Sequence, residues 1–332
     1  MSAGALRPQA ASAATLRAPE SLQVERADAA RRTGAFRAGP IDFDRPFVPE
    51  EFTQLFYVPQ YRALTAAQRL RYNQLFALKI NEQIMVFEQA FAERMLAPLV
   101  GDPCLPREIS DCLADMVAEE AAHTELFREL NRACRPEGSD PDGACFTKLG
   151  SLDRAAFALF TSSPRRLPAL LFFSLALEEH SLALARAFEA PASATLGAFE
   201  PNFVAAHCEH ARDERRHIHV EAHVIRRLFH GAPRPLRALN AALLRLFLRG
   251  VLTPRRAGLA VARRWLAERP ELAPRAAELL LALRALGRDD AFQRSLFSRT
   301  ITPLTFALFD EDASFRSLGD VLRGYAWREV PA

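Results

Sequence analysis

The 332-residue chain predicts an all-α fold, in which a four-helix bundle is followed by additional C-terminal helices. Proline and glycine divide the sequence into segments whose apolar residues recur at helical spacing. Few segments show the strict alternation that is typical of a half-buried strand. The connections between the segments are of modest length, which is typical of a helical bundle.

Four long helices form the predicted bundle. The apolar spacing and the positions of proline place them over 65–94, 107–132, 167–188 and 202–229. A loop over 135–151, rich in proline and glycine, and a shorter helix over 153–160 separate the second long helix from the third. From Pro235 onward the predicted helices are amphipathic and complete the core of the same domain.

The predicted domain organisation is a flexible N-terminal lead over 1–40 and a single helical domain over 41–332. The lead is rich in Ala and Arg but has no apolar core of signal-peptide length. The most apolar run, 167–177, has about half the length that spans a bilayer, and Glu178-Glu179-His180 follow it directly. We therefore expect no membrane association.

Charge and cysteine content exclude further classes of protein. The 43 basic and 40 acidic side chains nearly balance, and no concentrated basic face is evident, so we expect no nucleic-acid partner. The five cysteines are odd in number and form no Cys-x-x-Cys pair. A disulfide framework or zinc–thiolate site is therefore not expected, and a reducing compartment, the cytoplasm, is the predicted location.

Two Glu-x-x-His motifs point to metal chemistry. They are Glu120-Ala121-Ala122-His123 on the second long helix and Glu214-Arg215-Arg216-His217 on the fourth. Residues three apart lie about 60° apart around a helix, so each motif presents a carboxylate and an imidazole on one face. A bundle that projects both pairs inward needs one glutamate from each of its other two helices to form a di-iron site.

Both further glutamates are present within apolar helices. Glu88 follows Phe87 on the first long helix, and Glu178 follows the apolar run on the third. A lone glutamate in such surroundings would be a costly buried charge, and a pair of dications removes that cost. Glu82 and Glu179 are the respective alternatives to Glu88 and Glu178.

The fourth long helix carries further histidines and an acid. His210 falls within about 60° of Glu214 and His217 around the helix and is placed either to bind metal or to lie behind a ligand. His207 is near this face, whereas His219 and His223 are predicted at the surface. Glu221 shares the ligand face one turn further on, where a salt bridge and a metal role are both open.

Acids beside the motifs are candidates to orient the histidines. A ligating histidine usually donates its distal N–H to a carboxylate, which fixes its tautomer. Glu119 and Asp213 each precede a motif glutamate and are the predicted partners, with a solvated acid as the alternative reading. Phenylalanines near the site could line a substrate pocket, although core packing is the more common role for Phe87, Phe91, Phe127, Phe172 and Phe173.

Around these residues the sequence resembles the p-aminobenzoate N-oxygenases, ferritin-like di-iron enzymes that oxidise amines to hydroxylamine, nitroso or nitro products. The resemblance is carried by four stretches: Asn81-Glu82-Gln83 to Glu88-Gln89, Glu119-Glu120-Ala121-Ala122-His123-Thr124, Glu178, and His210-Ala211-Arg212-Asp213-Glu214-Arg215-Arg216-His217. The last stretch is the most specific, because the extra histidine separates this family from ferritins and most di-iron hydroxylases. Where the family has Asp-Glu, this chain has Glu119-Glu120.

The resemblance implies a fold, a site and an activity. The implied fold is all-α, with a ferritin-like four-helix bundle core and additional C-terminal helices. The implied metal ligands are Glu88, Glu120, His123, Glu178, His210, Glu214 and His217. The implied cofactors are two Fe ions, with Mn as an alternative, and O2 is the co-substrate. The expected enzyme is a monooxygenase that acts on a small-molecule aryl or amino-acid-derived amine, free or carrier-bound, and works with an electron donor as a homodimer.

Two other functions compete with amine oxidation. A di-iron oxygenase could instead attack carbon by hydroxylation, desaturation or oxidative cleavage, and only His210 argues against this in the sequence. A non-catalytic ferritin-like iron-binding protein is the third possibility. The helical region after Pro235 argues against it, since ferritin subunits are much shorter.

Overall fold

The computed structural model describes residues 16–29, 36–134, 145–147, 150–190, 194–252, 254 and 256–328. Within these ranges the regular elements are helical and no β-strand occurs, which confirms the all-α prediction. The α-helices are α1 (Pro19–Ala29), α2 (Ala66–Phe91), α3 (Arg107–Cys134), α4 (Ser151–Phe160), α5 (Ala169–Glu189), α6 (Pro201–Ile225), α7 (Arg234–Val251), α8 (Arg256–Ala267), α9 (Ala276–Ala285), α10 (Asp290–Leu296) and α11 (Pro303–Asp310). Short 3₁₀ turns cover Glu50–Phe52, Leu55–Tyr57, Pro59–Ala63, Ala97–Leu99, Pro270–Arg275, Leu286–Arg288 and Ala313–Asp320.

Helices α2, α3, α5 and α6 form the four-helix bundle. Helix α2 packs against α3, α5 packs against α6, and α3 and α6 pack together. Two of the predicted long helices change their winding near the C-terminal end, because α2 continues into a π turn at Ala92–Leu96 and α6 into one at Arg226–His230. The four predicted helices are thus present, with ends shifted by a few residues.

Local sequence fixes where two bundle helices begin. Thr65 accepts a hydrogen bond from the Gln68 amide at 3.2 Å, and the Gln68 side chain accepts one from the Thr65 amide at 3.0 Å. This capping box satisfies two backbone donors at the start of α2. At α6 the Glu200 carboxylate accepts from the Phe203 amide at 3.0 Å, and Pro201 occupies the first turn.

Helix α1 lies within the segment predicted as a flexible lead. It packs against α3 and α6, and its Leu22 is completely buried. The Gln23 side-chain amide donates to the Glu108 carbonyl at 2.6 Å, and Arg26 pairs with Asp115. Residues 1–15 and 30–35 of the predicted lead lie outside the described residues, as do 135–144 and 148–149 of the predicted loop over 135–151.

The C-terminal helices cover the bundle on two sides. Helices α7 and α11 pack on α5, α11 also contacts α6, and α8 packs on α2. On the first side Phe172 of α5 contacts Phe309 and Phe315 at ring-centroid distances of 5.5 and 4.9 Å. On the second side the Trp265 indole N–H donates to the Gln68 carbonyl at 2.9 Å. Among the described residues, no helix combines the length and apolar character needed to cross a bilayer.

Candidate metal centre

Six of the seven predicted ligands converge in the interior of the bundle. They form two overlapping groups whose oxygen and nitrogen atoms all lie within 4.8 Å of one another: Glu88, His123, His210 and Glu214 in the first, and Glu120, His123, Glu214 and His217 in the second. Glu88 is partly buried, and the other five residues are buried. Because the groups share His123 and Glu214, they could hold two cations side by side.

The glutamates of the two motifs each extend between both motif histidines. Glu214 places Oε1 3.4 Å from the Nδ1 atom of His123, and Oε2 3.4 Å from the Nδ1 atom of His217. Glu120 places Oε2 3.7 Å from His123 Nδ1 and Oε1 3.3 Å from His217 Nδ1. Glu120 and Glu214 are therefore the carboxylates that would serve both ions of a pair, with His123 and His217 each available to one ion.

His210 completes the first group from the neighbouring turn of α6. Its Nε2 atom lies 2.8 Å from Glu88 Oε1 and 2.9 Å from Glu214 Oε1. This places a third imidazole next to His123, as the helical spacing predicts. The Phe127 ring lies against His210, with the ring centroids 5.1 Å apart.

Carboxylates on the opposite helix hold the two motif histidines from behind. Glu119 of α3 lies with Oε2 2.8 Å from the Nε2 atom of His217 on α6. Asp213 of α6 lies with Oδ2 3.4 Å from the Nε2 atom of His123 on α3. These reciprocal contacts show that α3 and α6 are antiparallel, and they confirm both acids as partners of histidines.

The role of Arg216 was not predictable from the residue pattern along α6. Its guanidinium, on a side chain only 4% exposed, donates to Glu119. Arg216 thereby balances the carboxylate that holds His217. The contact joins α6 to α3, so only the packing of the two helices could have revealed it.

Glu178 lies outside the two groups of converging atoms. Burial, together with the charges of Glu221 and Glu214, raises its pKa well above the ordinary range, and its Oε2 atom has no hydrogen-bond partner among the described residues. The predicted alternative, Glu179, accepts hydrogen bonds from the Leu304 amide at 2.7 Å and from the Thr305 amide at 2.9 Å. Glu179 is therefore engaged in anchoring α11, whereas Glu178 faces the acids of the bundle interior.

The alternative to Glu88 also has another role. Glu82 accepts hydrogen bonds from the backbone amides of Cys145, Phe146 and Thr147 at 2.6 to 2.7 Å. Its carboxylate thus ties the connection after α3 to α2. Glu88, in contrast, has an Oε2 atom without a hydrogen-bond partner in the described part of the chain.

Electrostatics show that the cluster requires positive charge. Burial and the neighbouring Glu120 raise the pKa of Glu88 to about 7. Burial opposes protonation of His210, but Glu214 and Glu88 outweigh it and raise the pKa of this imidazole to about 9. Several carboxylates this close together can stay ionised only beside protonated imidazoles or a metal cation.

The chemistry of the donor atoms fits a pair of dications. Buried polar atoms normally have hydrogen-bond partners. Within the described residues, the buried atoms without one include Glu88 Oε2, Glu120 Oε2, His123 Nδ1, Glu214 Oε1, Glu214 Oε2 and His217 Nδ1. Carboxylate oxygen together with imidazole nitrogen suits iron or manganese.

Of the other residues considered around the cluster, His219 differs from its prediction. His219 was predicted at the surface, but it is 6% exposed because α1 covers this side of α6. His223 contacts the Arg17 carbonyl oxygen at 2.8 Å through its Nε2 atom. Phe172 belongs to the core beneath the C-terminal helices, whereas Phe127 lies against the ring of His207 as well as that of His210.

Comparison with known proteins identifies one matching family. The family model described as p-aminobenzoate N-oxygenase AurF matches residues 38–261. This range covers more than half of the chain and contains every predicted metal ligand, and it confirms the resemblance seen in the motifs. No curated protein sequence matches the chain.

Proposed function

The chain belongs to the p-aminobenzoate N-oxygenase family, and from this premise we propose that it is a di-iron enzyme that uses O2 to oxidise the nitrogen of an amine. The proposed substrate is a small aryl amine or amino-acid-derived amine, free or carrier-bound. Its product is a hydroxylamine, nitroso, nitro or N-oxide compound. The observation that carries the proposal is the buried group of carboxylates with a third imidazole, His210, beside one motif histidine.

The proposed ligands are the four residues of the two Glu-x-x-His motifs together with Glu88, Glu178 and His210. Glu88, His123 and His210 would hold one iron, Glu178 and His217 the other, with Glu120 and Glu214 between them. When bound, the reduced irons supply the electrons and Lewis acidity that activate O2, and an external donor restores them.

The residues around the cluster prepare it for metal. The Nε2 atoms of His217 and His123 face Glu119 and Asp213, and a proton held there would leave the Nδ1 lone pairs of both imidazoles free to bind metal. Phe127 packs against the site without contributing a polar atom. Apolar packing of this kind keeps water away from the reacting nitrogen and lowers the local dielectric constant.

A product experiment with isotopically labelled O2 tests the activity. The purified chain is loaded anaerobically with Fe(II) and given labelled O2, a reductant and a panel of aryl and alkyl amines. We expect mass spectrometry to find the label on the nitrogen of at least one amine. Products labelled only on carbon, or no labelled product from any amine, would contradict the proposal.

Replacing His210 separates nitrogen from carbon oxidation. We expect His210→Asn to lower the rate of nitrogen oxidation by at least about a hundredfold, as is common when a group in the reacting centre is removed. His223→Asn is the matched control, because His223 lies on the same helix outside the cluster. Full activity of His210→Asn would show that the third imidazole has no part in the reaction.

A further inference from the structure

Glu221 is a fully buried acid whose carboxylate has no well-formed hydrogen bond within the described residues. Its exposure is 0%, and neither carboxylate oxygen meets the geometry of a hydrogen bond within the described residues, although the Ser174 hydroxyl of α5 lies close enough to favour the ionised carboxylate. Two other buried acids of the bundle, Glu82 and Glu179, differ in this respect, because each accepts hydrogen bonds from backbone amides. An isolated buried carboxyl costs stability, so its presence at this position requires an explanation.

The position of Glu221 directs it towards the candidate metal centre. It follows His217 by four residues and Glu214 by seven, which places it about 40° and 20° from them around α6. Ser174 and Glu178 lie opposite on α5, one turn apart. Burial and the charges of Glu120 and Glu214 raise the pKa of Glu221 well above the ordinary range, which shows that its carboxyl is within electrostatic reach of the cluster.

The two antiparallel motif helices, α3 and α6, carry different residues at equivalent distances from their motif glutamates. Four residues before the motif glutamate, α6 has His210 and α3 has the buried Met116. Seven residues after it, α3 has Phe127 and α6 has Glu221. By this spacing the side of the cluster near His123 has an extra imidazole, whereas Glu221 of α6 falls on the side near His217.

We propose that Glu221 is an additional carboxylate ligand of the metal ion held by Glu120, Glu178, Glu214 and His217. This inference rests on the proposed function in assuming that the cluster binds two ions. Like Glu178, Glu221 lies outside the atoms that already converge, so both side chains would have to turn towards the ion to bind it. A cation bound there would neutralise the buried carboxylate of Glu221.

The test compares metal binding and stability in the full-length chain and in Glu221→Gln. Co(II) is titrated into the metal-free proteins and followed by absorbance and elemental analysis. We expect two ions per wild-type chain and an affinity for one of them that falls by about 10- to 100-fold in the variant. We also expect the metal-free variant to melt at a higher temperature than the wild type, since the substitution removes an unpartnered buried acid.

Glu179→Gln is the matched control, because Glu179 is a buried acid of the same bundle whose carboxylate anchors α11. The Glu179→Gln protein should be less stable than the wild type and should bind both Co(II) ions with wild-type affinity. Wild-type affinities for both ions in Glu221→Gln would overturn the inference and leave the proposed centre standing. A metal-free Glu221→Gln protein less stable than the wild type would also overturn it, because Glu221 would then have a structural role. Absence of Co(II) binding to the wild type would instead refute the centre itself.

Discussion

At the scale of single residues, the three imidazoles of the cluster differ in how they are held. His123 and His217 each have an acid from the opposite helix behind the ring. The outer nitrogen of His210, Nδ1, has no hydrogen-bond partner in the described part of the chain. His210 is therefore the imidazole whose orientation depends most on packing and on the metal itself.

Removing the acid behind His217 should weaken metal binding without removing a ligand. In Glu119→Ala the His217 ring loses the acceptor of its Nε2 proton, and Arg216 loses its partner. We expect the affinity for one of the two ions to fall by about 10- to 100-fold, measured by titration with Co(II). Glu125→Ala is the control, since Glu125 lies on the same helix and is 58% exposed. Equal affinities in the two variants would show that Glu119 does not orient the ring.

A buried lysine should make stability depend on pH. Lys79 is 7% exposed, and its ammonium lies 4.7 Å from the centre of the Phe76 ring. Burial lowers the pKa of Lys79 to about 8 from 10.5. Between these values the unfolded chain binds more protons than the folded one, so stability rises with pH across this window. Below pH 8 the full cost of burying the charged ammonium of Lys79 applies.

Replacing this lysine tests that cost. We expect Lys79→Met to raise the free energy of unfolding by about 1 to 3 kcal/mol at pH 7, and the gain to shrink as the pH approaches 10.5. Chemical denaturation of both proteins across this range measures the difference. If the gain in the free energy of unfolding does not change with pH, removal of the buried ammonium is not its cause.

Residue patterns predicted the six converging members of the cluster but neither the offset position of Glu178 nor all of the contacts around them. Spacing along one helix was enough to place Glu120 with His123 and Glu214 with His217, because three residues make nearly one turn. Arg216 and the isolation of Glu221 depend on the packing of α6 against α3 and α5. A single sequence does not contain that register.

At the scale of elements, long amphipathic helices were predictable and their irregular ends were not. The π turns after α2 and α6 form where the helix ends meet neighbouring elements, which no local pattern describes. Helix α1 was also missed, because its position depends on burying Leu22 and on pairing Arg26 with Asp115 rather than on a long apolar face.

The anchoring of α11 by Glu179 gives a prediction at this scale. The carboxylate accepts from the amides of Leu304 and Thr305 and from the Thr305 hydroxyl at 2.7 to 2.9 Å. An amide has only one oxygen to accept with, so Glu179→Gln should lower the free energy of unfolding by about 1 to 3 kcal/mol. Thermal unfolding measures the loss, and an unchanged stability would contradict the anchoring role.

At the scale of the whole molecule, the bundle and the C-terminal helices share their cores. One hydrophobic core includes Phe172 of α5 with Phe309 of α11, and the other includes Tyr72 of α2 with Trp265 of α8. Neither core is complete without both parts of the chain. We propose on this basis that residues 41–332 fold as one domain.

A single domain should unfold in one transition. Both tryptophans, Trp265 and Trp327, lie in the C-terminal region, so their fluorescence follows that region, while far-ultraviolet ellipticity follows every helix. We expect the two signals to give the same midpoint. Midpoints that differ clearly would show that the bundle and the C-terminal helices unfold separately.

The iron content of the anaerobically reconstituted chain, combined with Mössbauer spectroscopy, decides whether the cluster is a di-iron centre. We predict two iron ions per chain in a magnetically coupled pair. Glu214→Ala should lose most of this iron, since Glu214 belongs to both groups of converging atoms. A wild-type chain that takes up no iron or manganese, or a Glu214→Ala variant that retains the coupled pair, would contradict the account.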